Sequence, residues 1–210
     1  MGKKKPNEVV ENTQIIIEKP AREVILVKVQ GTSQYSPNRL DPAKVIQMRK
    51  DIEKPITVKK KRNLDEEYES CFYIAGYTKA NKPIYGIPGG AFKSAIIDAS
   101  LDIENVAKTQ MKRNIAVMEN IVPIKYDNIQ KEIFTTRDSG QTRAPNVAMK
   151  PLFNNWSASI RISYDTSVFS RNTIYNLINR AGIQIGIGSM RPSKNGPITC
   201  GTFEVAREQN

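Results

Sequence analysis

Residues 156–164 alternate: Trp156, Ala158, Ile160, Ile162 and Tyr164 fall on one side, and Ser157, Ser159, Arg161 and Ser163 on the other. That period belongs to a strand with one covered face, and it commits the chain to a sheet. A cover follows at once. Ser170 can cap a helix in which Ile174, Leu177, Ile178 and Ala181 recur at i, i+3, i+4 and i+7, with Gly182 placed as its left-handed terminator. Residues 23–30 form a second, near-continuous apolar strand ended by Gly31, the pattern of a strand central in its sheet.

A second helix starts abruptly. Ile87-Pro88-Gly89-Gly90-Ala91-Phe92-Lys93-Ser94 leads into Phe92, Ala95, Ile96, Ala99 and Ile103 at the spacing of one helical face. Pro88 stiffens the approach, and Gly89 and Gly90 keep side chains away from the free amides and positive dipole end of the first turn. Lys93 sits within that turn. Such an entry can hold a phosphate, although glycine there can equally serve only the shape of the junction.

The remaining segments supply insertions. Residues 32–80 lie between the first strand and the main helix. They contain a short helix from Pro42 or Ala43 to about Glu53 capped by Asp41, a strand at 72–75, and the run Lys59-Lys60-Lys61-Arg62 followed by Asp65, Glu66, Glu67 and Glu69, which reads as a solvated loop. Residues 106–113 are polar and basic, and 115–126 read as extended. A β-hairpin spans about 127–150, with Arg137 and Arg143 flanking its tip. A glycine-rich segment, Gly182 to Gly196, precedes a last strand at 201–206.

Without insertions the order is βαββαβ, predicting an α+β, ferredoxin-like (RRM-like) antiparallel sheet with two helices on one face, in a single domain spanning 1–210. The glycine entry 86–95, the segment 182–196 leading into Gly201-Thr202-Phe203-Glu204-Val205, and the basic hairpin together resemble the RAMP superfamily, specifically the repeated backbone subunits of CRISPR effector complexes. This chain has Gly-Gly-Ala-Phe where that family usually has Ser-Ser-Leu/Ile. The resemblance implies a subunit that binds guide RNA through its sugar–phosphate chain and stacks head to tail into a filament, beside other effector subunits. It implies a nucleic-acid path lined by Gly89, Gly90, Lys93, Gly186, Gly188, Ser189, Met190, Arg191 and Lys194. Family members that cleave RNA use a histidine or a loop aspartate; here Asp41 is the candidate, and a helix cap accounts for it better.

Composition limits the chemistry. With 32 basic and 21 acidic residues the net charge is +11, which calls for an anionic partner, nucleic acid ahead of a membrane surface. There is no histidine, so the commonest general base and zinc ligand are missing; neither catalysis, a cofactor nor a metal is expected. No apolar run reaches the length of a membrane span, and Cys71 and Cys200 have no metal-ligand spacing, so a reduced, cytoplasmic setting without a disulfide is expected.

Arg137 and Arg143 could grip a backbone or merely keep a hairpin tip hydrated. The runs Lys59 to Arg62 and Lys3 to Lys5 read first as solvated charge. Trp156 reads as core, and Tyr35, Tyr77 and Tyr85 as weaker stacking candidates. Two functions follow: a non-catalytic protein that polymerises along single-stranded RNA, or less readily DNA, and a phage or viral structural protein whose basic surface neutralises packaged nucleic acid.

Overall fold

β1 (Arg22–Gly31) buries Ile25, Val27 and Val29 and turns Val24, Leu26 and Lys28 outward. It pairs antiparallel with β8 (Ser157–Asp165) from Arg22↔Asp165 to Gln30↔Ser157, so the alternation read in 156–164 is met by a matching one. This computed structural model describes residues 19–40, 63–101, 106–137, 145–194 and 198–206, together with positions 42, 45, 46, 49, 50, 103 and 104.

In chain order the further elements are α1 (Leu64–Ser70), β2 (Ile74–Tyr77), β3 (Pro83–Pro88), α2 (Gly89–Ala99), α3 (Lys108–Asn114), β4 (Ile115–Val117), β5 (Ile121–Lys125), β6 (Ile129–Arg137), β7 (Pro145–Phe153), α4 (Arg171–Arg180) and β9 (Phe203–Val205). The main sheet runs β2-β3-β5-β8-β1-β9, with β4 also on β8, and its pairings are antiparallel. The class is therefore α+β with an antiparallel sheet. The sheet is larger than the four strands expected, because β2 and β3 extend it beyond β5. α2 and α4 contribute Phe92, Ile96, Ile174, Leu177 and Ile178 to the core that covers Ile25, Val27, Ile160 and Ile162.

Several local expectations are corrected. The acidic run is helical, not a loop: the Asn63 side chain accepts from Asp65 N (3.1 Å) and Glu66 N (3.4 Å), and Asp65, Glu66 and Glu67 then favour the positive end of α1. Residues 108–114, read only as polar and basic, form α3 around the buried Met111. Gly182 does not end α4. The chain widens into a π-type turn over Ala181–Ile185, closed by Gly186 N–H donating to Ala181 O at 2.8 Å, and Gly186 takes the positive φ of 67°. Gly182 is glycine for another reason: a Cβ there would overlap the Phe203 carbonyl of β9. Residues 115–126 break into β4 and β5, because Glu119 steps out to accept from Arg161 N (3.1 Å) and Nε (2.6 Å) of β8.

The expected hairpin is β6–β7, a separate two-stranded sheet registered from Ile129↔Phe153 to Arg137↔Pro145. Its base is anchored where Tyr35 and Phe153 exchange backbone hydrogen bonds of 3.0 and 2.8 Å. Trp156 is fully buried, donating from Nε1 to Ser33 O at 2.8 Å. Tyr35 is equally buried, against Phe153 and Trp156, and so is no stacking platform for a base. Cys71 and Cys200 are free and buried, and burial pushes the Cys200 thiol up to about 11. Among the described residues no helix is long and apolar enough to cross a membrane.

Candidate nucleic-acid interface

α2 opens without a side-chain cap: its N-cap is Pro88, which has no donor-accepting side chain. Gly89 donates its N–H to Asn120 O at 2.9 Å, and a Cβ on Gly89 would overlap Glu119 O. The step between β4 and β5 therefore clamps the helix start. Gly90 is different, since a Cβ there would meet nothing within 4 Å. The first-turn amides of Gly90 and Ala91 have no acceptor within the helix.

Opposite that turn lies the segment that follows α4. Gly186 (φ 67°) and Gly188 (φ 79°) bend it, and Gly201 (φ 72°) closes it where Ile187 N–H donates to Gly201 O at 3.0 Å. A Cβ on Gly188 would overlap Ser36 O, so this glycine allows close passage of the chain over residues 35–36. Ser189 N–H donates to the same Ser36 O at 2.7 Å. Arg191 donates from Nη1 to Gly188 O at 3.1 Å and from Nε to Ser193 Oγ at 3.0 Å, which fixes its guanidinium over the turn with further donors to spare.

The two segments meet across a cavity of about 300 Å³. Gly90, Ala91, Ser94 and Asp98 line one side, and Gly186, Gly188 and Arg191 the other. Asn38 and Tyr73, from the 32–80 insertion, complete the wall. The Tyr73 hydroxyl donates to Asn38 Oδ1 at 3.4 Å, and burial raises its pKa, with Arg39 opposing, so it stays a donor. Pro88, Ala95, Ile185 and Ile187 make the rest of the lining apolar, so the lining is mixed; its uncapped helix start, fixed guanidinium and hydroxyls can hold an anionic group by hydrogen bonds. Two larger concavities, of about 480 and 520 Å³, contain none of the residues expected at a site.

Four of the expected residues, Gly90, Gly186, Gly188 and Arg191, are thus brought together. Gly89 is enclosed beside them. Lys93 is half-buried on another side of α2, and Ser189, Met190 and Lys194 follow the turn without lining the cavity. Arg137 ends β6, away from this cavity in sequence and in sheet. Arg143, Asp41, Lys59 to Arg62 and Lys3 to Lys5 lie outside the described residues. Sequence reasoning missed Asn38, Tyr73, Ser94 and Asp98. Gly90, Ser94 and Asp98 recur at i, i+4 and i+8, a polar stripe beside the apolar face of α2 that was there to be read. Among the described residues no group of three or more Cys, Asp or Glu is placed to hold a metal. No protein-family model and no curated protein matches this chain.

Proposed function

We propose that this chain is a non-catalytic protein that binds single-stranded nucleic acid, RNA ahead of DNA, through the sugar–phosphate backbone. One observation carries the reading: the start of α2 and the glycine-rich segment after α4, about a hundred residues apart in sequence, line one cavity. A backbone phosphate fits the Gly90 and Ala91 amides, and Arg191 adds a charged, planar donor beside them. The net charge of +11 supplies the general attraction.

In this reading the strip β9-β1-β8-β5, with α2 and α4 on one face, is a ferredoxin-like core of the RAMP kind, and residues 32–80 and 127–150 are its insertions. Copies stack head to tail along the strand. The test is fluorescence anisotropy with a labelled single-stranded oligonucleotide across a salt series. Log affinity should fall linearly with log salt, with a slope of about −0.7 per phosphate neutralised. An affinity unchanged between low and moderate salt contradicts the reading.

A further inference from the structure

The cavity holds one residue that a polyanion should avoid. Asp98 lines it on the same stripe as Gly90 and Ser94, eight residues from Gly90 and so about 12 Å further along the axis. Its Oδ1 takes Lys108 Nζ at 3.2 Å, and Oδ2 has no protein partner among the described residues. A carboxylate beside a phosphate chain is repulsive unless it accepts a hydrogen bond from that chain. Phosphate, ester and ring oxygens of the backbone only accept. The one donor a sugar–phosphate backbone offers is the ribose 2′-hydroxyl, which DNA lacks.

We propose that Asp98 makes this cavity selective for RNA by accepting a hydrogen bond from a 2′-hydroxyl of the bound strand. The inference rests on the backbone-binding reading above and adds the sugar it recognises. With a phosphate at the Gly90 amides, the strand runs down the α2 stripe past Ser94, and a ribose reaches Asp98. Lys108 holds the carboxylate in place and offsets part of its charge.

The experiment compares oligouridine, oligodeoxyuridine and 2′-O-methyl oligouridine, so that the base is constant and only the sugar donor changes. The wild-type chain should prefer the ribose strand over both others by about tenfold, the size of one hydrogen bond to a charged acceptor. Asp98→Ala should bring the three affinities together, and Asp98→Asn, a weaker acceptor of the same shape, should fall between. Equal wild-type affinity for all three strands, or a preference that survives Asp98→Ala in a folded protein, overturns the assignment while leaving the backbone reading intact. Failure of the wild-type chain to bind any of the three overturns both. If Asp98→Ala does not fold, the 2′-O-methyl arm and Asp98→Asn decide.

Discussion

The two glycine-rich segments look alike in sequence and do different work. After α4, Gly186, Gly188 and Gly201 all have positive φ, and a side chain at Gly188 or Gly201 would overlap a backbone carbonyl. They are glycines because the chain crosses itself closely there. At the start of α2 the roles divide between neighbours. Gly89 is shut against Glu119, whereas Gly90 faces open space on the cavity side. Glycine thus marks tight packing at most of these positions and an accessible surface at one. A motif read as a ligand cradle is mainly a folding requirement: Gly186 and Gly188 border the cavity but are glycines for the path of the chain, and of these glycines only Gly90 has open room for a side chain.

The contrast breaks first on stability. Gly201→Ala should cost at least ~3 kcal/mol, from left-handed strain plus overlap with Ile187 O. In a chain of this size that lowers the melting temperature by roughly 6 °C or more. Gly89→Ala should be of similar size. Gly90→Ala should stay within ~1 kcal/mol of wild type, on the stabilising side, because alanine is the better helix former and nothing obstructs it. Differential scanning calorimetry of the three variants checks this ordering. Equal losses at Gly89 and Gly90 would remove the distinction.

On binding the ranking inverts. Gly90→Val should weaken oligonucleotide affinity by about tenfold or more in a protein that melts near wild type, since the branched side chain stands over the free amides. Arg191→Ala should weaken it by a smaller factor, roughly fivefold, and cost some stability through the lost bond to Gly188 O. Lys93→Ala should change affinity by less than about threefold, because it does not line the cavity and one screened charge contributes little. Anisotropy titrations at one fixed salt concentration rank the three.

Period and caps carried much of the fold into the sequence. The alternation from Trp156 to Ile162, the Ser170 cap and the Phe92–Ala95–Ile96–Ala99 face stand in the structure as read, because each depends on neighbours a few residues away; Ser163, read on the open side, is instead buried. What was illegible depends on distant partners. The Asn63 cap of the acidic run is local and was there to be read, but α1 also packs against β7, and Lys131 of β6 reaches Asp65 at 2.6 Å and lies over the Tyr68 ring, contacts that nothing nearby in sequence announces. The step at Glu119 follows from Arg161, 42 residues away. The cavity's far wall was hidden for the same reason. Asn38 and Tyr73 belong to a segment that reads only as an insertion, and nothing local places it beside α2.

The central claim is that a single strand lies between the first turn of α2 and the turn after α4. Hydrogen–deuterium exchange of the full chain, with and without saturating oligouridine at low salt, tests it most directly. Slowed exchange is expected at the amides of Gly90 and Ala91 and across residues 186–191, with the amides of β1 unchanged. Protection confined to the sheet face or to the β6–β7 hairpin, with these two turns unaffected, would contradict it.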